Sequence, residues 1–208
     1  GTNSSAIWKG FKEYKQLGLI DKLPQIIGVQ AKGADAVVQS FNKKLKEVEP
    51  IKNPSTVCSA ISVGDPLDGL LILKALRESK GTAVSVDDNS ALEAEKLLAK
   101  TQSTFVEPAA ATTLAALQQM VQEGKANKDE KIVLVLTGTG LKDPIAALKV
   151  LYSPPVVEPS FEEVEKYLNY GFYDVAASAS NDQKVVISEM LSISELAKIL
   201  KQEFHTEL

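Results

Sequence analysis

A run of five aliphatic residues, 132–136, restricts the fold of this chain more than any other feature of its sequence. Its composition, Ile-Val-Leu-Val-Leu, is typical of a strand buried on both faces of a parallel sheet. The run continues directly into Thr137, Gly138, Thr139 and Gly140. Glycine has no Cβ atom and threonine offers a hydroxyl group, so a bound group could approach this turn closely. We therefore interpret the turn as a ligand-facing loop, with an ordinary strand-to-helix turn as the alternative.

Short apolar segments alternate with segments of helical periodicity from residue 1 to residue 151. Residues 26–31 and 82–86 are predicted as further buried strands. Apolar residues at helical spacing predict helices over residues 6–17, 33–41, 66–80, 92–98, 109–123 and 144–151. The expected groups at helix starts are Asn3, Ser4 or Ser5 in the first helix, Asp65 with Pro66 in the third, and Asp88 or Ser90 in the fourth. The alternation indicates an α/β domain whose parallel sheet is covered by helices on both faces.

A proline-rich segment, residues 153–160, divides the chain into two parts. The alternating pattern occupies residues 1–152, and residues 153–208 form a C-terminal extension. In this extension we predict a helix at 161–170, a strand at 184–187 and a helix at 194–204, which together give it a small α/β character. One interpretation of the extension is a regulatory or assembly module, and the other is a tail packed on the main domain.

Composition excludes several classes of function. With 44% hydrophobic and 24% charged residues, the chain is rich enough in apolar side chains to form a compact core. Its formal net charge is −4 and its lysines are interspersed with acidic residues, so we expect no nucleic-acid partner. No apolar run approaches the roughly 20 residues that span a bilayer, so we expect no membrane segment.

The chain contains one cysteine and one histidine. Cys58 has no partner for an internal disulfide, which favours a reducing, cytoplasmic location, and we interpret it as a small core residue. His205 alone cannot supply a Ser/His/Asp group or a histidine-rich metal site, so we expect no metal. The sequence opens with Gly1 rather than methionine, inside what reads as a loop, and we therefore expect a piece of a longer protein.

Several segments occur here in the order in which one known family carries them: residues 1–18, 23–34, 56–66, 105–117 and 133–144. On these segments the chain resembles threonine synthase, in the shorter archaeal and bacterial form. The resemblance covers residues 1 to about 152. It implies a pyridoxal-phosphate enzyme of fold type II, of which residues 1–152 would be the C-terminal part of the large cofactor-binding domain, half of a tryptophan-synthase-β-like fold.

The resemblance implies two groups of cofactor-binding residues. Gly1, Thr2 and Asn3 are similar to the last positions of the family's loop that holds the cofactor phosphate at a helix N-terminus, where free N–H groups and the helix dipole favour an anion. Simple capping of the helix is the alternative for these residues. Thr137 corresponds to the threonine that hydrogen-bonds the pyridine nitrogen. A neutral hydroxyl group does not enforce a pyridinium, which suits elimination and replacement chemistry.

Further residues resemble stretches near cofactor and substrate. Ala60, Ile61 and Ser62, together with Glu107, would line the pocket, although Ala60 to Ser62 could be packed backbone and Glu107 could simply start a helix. In the family, the Schiff-base lysine and the loop that binds the substrate carboxylate lie in the N-terminal half, outside this chain. Lys142 does not occupy the position of that lysine. We therefore expect the chain alone to be inactive.

The activity implied by the resemblance is that of a lyase of threonine biosynthesis. Threonine synthase converts O-phospho-L-homoserine and water to L-threonine and phosphate, and the family suggests a homodimer as the full-length protein. Because the substrate-binding residues lie outside the chain, a cysteate synthase or a threonine dehydratase of the same fold type is the alternative.

Overall fold

A computed structural model describes residues 1–126, 129–149, 156 and 158–161 of the chain. The chain divides into two compact units, residues 1–153 and 154–208. In the second unit Val156 and Phe161 are exposed. The helices and the strand predicted for the extension lie outside the described residues, apart from Phe161, so the α/β character of the extension and the domain assignment stay predictions.

The first unit is built from alternating helices and strands. Its elements are α1 (Thr2–Gln16), β1 (Ile27–Ala31), α2 (Ala36–Asn42), α3 (Gly69–Glu78), β2 (Thr82–Val86), α4 (Asp88–Gln102), α5 (Pro108–Gln122) and α6 (Pro144–Ala147). Short 3-10 helices occur at Lys32–Ala34, Ser59–Ile61 and Gly140–Lys142. No described helix combines the length and the apolar character needed to cross a membrane.

The strands β1 and β2 pair in parallel, in a register that sets Ile27 opposite Thr82 and Ala31 opposite Val86. Because side chains alternate along a strand, each face of this sheet carries a separate core. One core packs the sheet against α4 and α5, and the other packs it against α1, α2 and α3. The predicted α/β class, with a parallel sheet and helices on both faces, is confirmed.

The core beneath α4 and α5 is made largely of small side chains. Its members include Ala91 and Ala94 of α4 and Ala110, Ala111 and Ala115 of α5, each at most 4% exposed. Alanine has the highest helix propensity, and its small side chain lets two helices approach closely. These two helices therefore form a dense layer on one face of the sheet, and α5 brings its N-terminus to the candidate site.

On the other face, α1 is attached to both ends of α3. The Thr2 hydroxyl group donates a hydrogen bond to the Asp68 carboxylate, next to the start of α3. Near the end of α3, Nε1 of Trp8 donates to Oε2 of Glu78 at 2.8 Å. Trp8 is 4% exposed and belongs to the core of this face. The N-terminus of α1 is thereby held against α3.

The prediction of a buried strand at residues 132–136 is wrong for this chain. The segment has no strand pairing in the described structure, and Val133 is 85% exposed. A strand buried in a parallel sheet needs neighbouring strands and helices on both faces. The strands described here, β1 and β2, pair with each other and not with this segment. An apolar run specifies a tendency to be buried, whereas its burial depends on the segments beside it.

Several helices begin at other residues than the sequence predicts, among them α2, at Ala36 rather than residue 33. The structure starts α3 at Gly69, because Pro66 accepts a hydrogen bond from the Gly69 amide in a turn that precedes the helix. It starts α1 at Thr2 with Gly1 at the N-cap position, so the predicted caps Asn3, Ser4 and Ser5 already lie inside the helix.

The N-cap of α4 also differs from the predicted residue. Asp87, rather than Asp88 or Ser90, is the N-cap, and its side chain accepts hydrogen bonds from the Ser90 amide at 2.9 Å and from the Ser90 hydroxyl group at 2.8 Å. Its extended backbone suits a capping position. The helix predicted to run to residue 151 is described only as α6, Pro144–Ala147.

Candidate functional site

The Thr/Gly turn lies antiparallel to the segment that leads into α5. Val106 and Thr139 form an antiparallel bridge. The Glu107 amide donates to the Gly138 carbonyl at 3.0 Å, and the Gly140 amide donates to the Phe105 carbonyl at 3.1 Å. These bonds hold the turn against the start of α5, although the run that precedes it is exposed.

Both glycines of the turn are needed for this close approach. A Cβ atom on Gly138 would overlap the Glu107 carboxylate, and one on Gly140 would overlap the Phe105 ring. Gly138 and Gly140 are buried, while Thr137 is exposed. The Thr137 hydroxyl group has no hydrogen-bond partner among the described residues. The turn therefore packs through its glycines and leaves this hydroxyl group available to a bound molecule.

Glu107 starts α5 and also packs against the turn. It is the N-cap residue, and Pro108 follows at the first helical position, where proline is well tolerated. The Glu107 carbonyl accepts from the amides of Ala110 and Ala111 at 3.0 and 3.1 Å. The side chain is 6% exposed, makes no capping hydrogen bond and lies against Gly138. Glu107 thus has the helix-start role, in direct contact with the turn.

The predicted pocket segment around Ala60 is tied to the chain that follows the turn. Ser59 starts the short helix Ser59–Ile61, and its hydroxyl group donates to Oδ2 of Asp143 at 2.9 Å. Ile61 packs against the core beneath α4 and α5, and Ala60 is exposed. The helix Ser59–Ile61 thus contacts α5 and, through Asp143, the chain that follows the Thr137 turn, while Glu107 contacts that turn directly.

The N-terminus of α1 borders a cavity of about 50 Å³ on the other face of the sheet. Its lining includes Gly1 and Ser4 of α1, Gly28 and Gln30 of β1, and Ala83 of β2. The amides of the first helical turn have no acceptor within the helix. Gly1, Thr2 and Asn3 lie in this layer, and in the described structure no hydrogen bond or strand bridge joins them to the turn at Thr137.

Some hydrogen-bond donors near this cavity already have an acceptor within the protein. Oε1 of Gln30 accepts from the amides of Val37 and Val38 at 2.9 and 3.1 Å, which satisfies two amides at the start of α2. The Thr2 hydroxyl group is engaged by Asp68. The first-turn amides of α1 are therefore among the donors left for an anion, and their chemistry fits a phosphate group.

Sequence reasoning missed Glu95 of α4. This side chain is 2% exposed, and neither carboxylate oxygen has a hydrogen-bond partner in the described structure. Burial, and then the negative charge of Asp143, raise the pKa of Glu95 to about 7. A signal was present, because Glu95 falls at helical spacing between the buried residues Ala91 and Leu98. A charged residue on an apolar helix stripe marks a buried carboxyl group.

Neither Cys58 nor Lys142 has the setting of a reactive group. Cys58 is fully buried, and burial is the main cause that raises the pKa of its thiol to about 11. A thiol with a raised pKa is a poor nucleophile at neutral pH. Lys142 ends the short helix Gly140–Lys142 and is exposed.

These features define an α/β domain that presents a Thr/Gly turn beside the N-terminus of one helix and a small cavity beside that of another. The family described as "Pyridoxal-phosphate dependent enzyme" matches residues 1–138. The chain belongs to this family, whose cofactor is pyridoxal phosphate.

Relatives of known activity support the same resemblance. The chain is 43% identical to the threonine synthase of Methanocaldococcus jannaschii over 166 residues, which are 80% of this chain and 41% of that protein. It is 40% identical to the threonine synthase of Methanosarcina acetivorans over 164 residues, 79% of this chain and 40% of that protein. The chain therefore spans about two fifths of the curated relatives that it matches.

A solved structure shows the same fold. The threonine synthase of Escherichia coli superposes with a TM-score of 0.51 at 19% sequence identity, over 73% of this chain and 33% of that chain. The predicted resemblance is confirmed, and with it the fold class and the cofactor.

Proposed function

We propose that this chain is part of a threonine synthase, a lyase that converts O-phospho-L-homoserine and water to L-threonine and phosphate. The observation that carries the proposal is the 43% identity to the Methanocaldococcus jannaschii threonine synthase over 80% of the chain. The family match over residues 1–138 includes both the turn at Thr137 and the segment at Ala60, which supports the proposal.

The proposal assigns the cofactor to two groups of residues. The backbone amides at the start of α1, with Gly1, Thr2 and Asn3, would hold its phosphate, and Thr137 would bind its ring nitrogen. The first assignment is supported by the unsatisfied first-turn amides beside a cavity. The second is supported by the exposed hydroxyl group of Thr137. When bound, pyridoxal phosphate acts as an electron sink for carbanions formed on the substrate.

The chain's own residues would act by orientation. The buried glycines of the turn and the carboxylate of Glu107 hold the backbone that follows Thr137 in place. A fixed hydroxyl group keeps the ring in one orientation, so that the bond that breaks stays aligned with the ring. The dipole of α1 favours the phosphate, whereas Asp68 disfavours it, and the hydrogen bond from Thr2 offsets part of that charge. Ala60 and Ile61 would line the substrate side of the pocket.

The proposal includes three expectations about the full-length protein. The Schiff-base lysine lies outside this chain, so the chain alone is inactive. The full-length protein is a homodimer, as in the family, and takes a small amino-acid phosphate as substrate. It works in the cytoplasm, which fits the single, buried cysteine.

The test is phosphate release by the full-length protein, supplied with pyridoxal phosphate. O-Phospho-L-homoserine is compared with O-phospho-L-serine plus sulfite, and the amino-acid product is identified in each reaction. Threonine from the first substrate alone is the expected result. Cysteate from the second substrate would assign the protein to cysteate synthase, and 2-oxobutanoate formed from threonine would assign it to threonine dehydratase.

A further inference from the structure

Glu95 is a buried acid that the proposed function does not use. It lies on the face of α4 that packs into the core, with Ala91 and Leu98 on the same stripe. Only 2% of the residue is exposed, and both carboxylate oxygens lack a hydrogen-bond partner in the described structure. An ionised carboxylate in such a place is strongly disfavoured unless a cation or several donors compensate it.

Among the residues that the structure describes, the groups that face Glu95 provide no such compensation. Asp143, at the start of α6, is the charged group that acts on it. Cys58, from the segment beneath α5, contributes a neutral thiol. Besides burial, the negative charge of Asp88 also acts on this thiol and raises its pKa. The α5 helix, Pro108–Gln122, contains no titratable side chain. A proton on Glu95 is therefore the simplest way to compensate this site.

Asp143 connects this site to the candidate cofactor turn. Its Oδ2 accepts from the Ser59 hydroxyl group at 2.9 Å, and its Oδ1 accepts from the Ala146 amide at 3.3 Å. Its own amide donates to the Gly140 carbonyl at 3.0 Å. Asp143 therefore fixes the chain that follows Thr137 against the segment Ser59–Ile61, and a second negative charge beside it would weaken that attachment.

We propose that Glu95 is a positioning residue: its protonated carboxyl group allows Asp143 to pack against Ser59 and so keeps residues 140–147, which follow the Thr137 turn, in place. The contact itself does not depend on the proposed function, whereas its relevance to the reaction rests on that function. Loss of the proton introduces repulsion between two carboxylates, of which that of Glu95 is buried.

The consequence is a dependence of this attachment on pH. When residues 140–147 detach, Glu95 becomes solvated and releases its proton near the ordinary pKa of 4.5, whereas in the packed structure burial raises its pKa to about 7. Detachment is therefore favoured about tenfold per pH unit between these two values. Above pH 7 Glu95 is ionised in both states and the dependence ends.

The test is amide hydrogen exchange of Ala146 in the 208-residue chain from pH 5 to pH 8, corrected for the intrinsic pH dependence of exchange. The expected result is that protection of Ala146 falls about tenfold per pH unit up to about pH 7 and is then constant. Glu95→Gln should abolish this dependence, while the control Glu93→Gln, an exposed acid of the same helix, should retain it. A pH dependence that is unchanged in Glu95→Gln, or absent from the wild type, would overturn the proposal.

A second variant, Asp143→Asn, tests the proposal even if Glu95→Gln does not fold. Asp143→Asn removes the other charge but leaves Glu95 buried, so protection of Ser59–Ile61, corrected for intrinsic exchange, should fall over a narrower pH range in this variant than in the wild type. An unchanged pH range would overturn the proposal. In the full-length protein, Glu95→Gln should change the pH profile of kcat with little change in KM. An unaltered profile would overturn the role in the reaction, and a full-length protein that makes no threonine would overturn the proposed function while leaving the exchange experiment intact.

Discussion

Nε1 of Trp8 donates a 2.8 Å hydrogen bond to Oε2 of Glu78 and thereby joins α1 to the end of α3. The same carboxylate oxygen accepts from Nζ of Lys12 at 3.0 Å. These two hydrogen bonds, that from Trp8 first, lower the pKa of Glu78. Trp8 is the only tryptophan of the chain, so its fluorescence reports on the attachment of α1 without any label.

Glu78→Ala should shift the Trp8 emission to longer wavelength, because the indole N–H loses its partner and water reaches the ring. Steady-state fluorescence of the native chain measures the shift. Glu13→Ala is the matched control, since Glu13 forms an exposed ion pair with Lys9 on the same helix. The lowered pKa means that Glu78 stabilises the fold above pH 4.5 and that this contribution is lost as the pH falls through its folded pKa. A pH-independent emission between pH 5 and pH 2 would contradict this attachment.

Gly138→Ala should weaken the packing of the Thr/Gly turn. The new methyl group would overlap the Glu107 carboxylate, which must move away from its buried position. We expect a loss of about 1–3 kcal/mol in the free energy of unfolding, typical of overpacking. Urea denaturation measures it. Gly10→Ala serves as the control, because a Cβ atom there meets nothing within 4 Å and the helix interior should gain about 0.5–1 kcal/mol.

Glu95→Gln should stabilise the chain at neutral pH and not at acid pH. The unfolded chain releases the Glu95 proton near pH 4.5, whereas the folded chain retains it up to about pH 7, so the free energy of unfolding of the wild type falls between these values. Glutamine cannot ionise and avoids the loss, which amounts to about 3 kcal/mol above pH 7. Thermal unfolding at pH 4.5 and pH 8 measures the difference, and an equal effect at both pH values would contradict it.

Cys58 should not react with thiol reagents in the folded chain. It is fully buried, and the pKa of its thiol is raised to about 11, so at pH 8 the reactive thiolate is scarce and inaccessible. Ellman's reagent should therefore release no thionitrobenzoate until urea unfolds the chain. Because Cys58 is the only cysteine, Cys58→Ala gives the baseline of the assay. Rapid release from the native chain would show that the core beneath α5 opens.

Thr137→Ala in the full-length protein should lower kcat/KM roughly 10- to 100-fold, as expected for a hydrogen bond to a ring that becomes charged during the reaction. It should also change the absorption spectrum of the bound cofactor. Thr137→Ser retains the hydroxyl group and should restore most of the activity. If alanine and wild type had the same spectrum and turnover, the proposed contact with the ring would be wrong.

Local sequence patterns predicted the regular elements well. The strands predicted at 26–31 and 82–86 correspond to β1 and β2, and the helix predicted at 109–123 corresponds to α5. Glycine and proline mark the ends of these elements clearly. The exact helix starts were less predictable, because Asp87 and Asp88 are both good caps and the backbone around them decides between the two.

Contacts with distant segments account for the wrong prediction of a strand at residues 132–136 and for the failure to predict that Glu95 is buried. The exposure of residues 132–136 depends on which strands lie beside them, and the pKa of Glu95 depends on burial and in part on the charge of Asp143, at the start of α6. Both are properties of distant segments. The cofactor roles of Thr137 and of Gly1 to Asn3 stay predictions. The structure adds that the Thr137 turn and Glu107 are neighbours, which the spacing of 30 residues between them does not reveal.

The exposed run at residues 132–136 has a practical consequence for handling the chain in solution. Ile132, Val133 and Val135 present aliphatic surface to water, and no described strand occupies the hydrogen-bonding groups of this backbone. Extended, uncharged segments of high β-propensity are the places where polypeptides aggregate. We therefore expect the 208-residue chain to aggregate through residues 132–136. The extent of this aggregation should rise with the concentration of the chain.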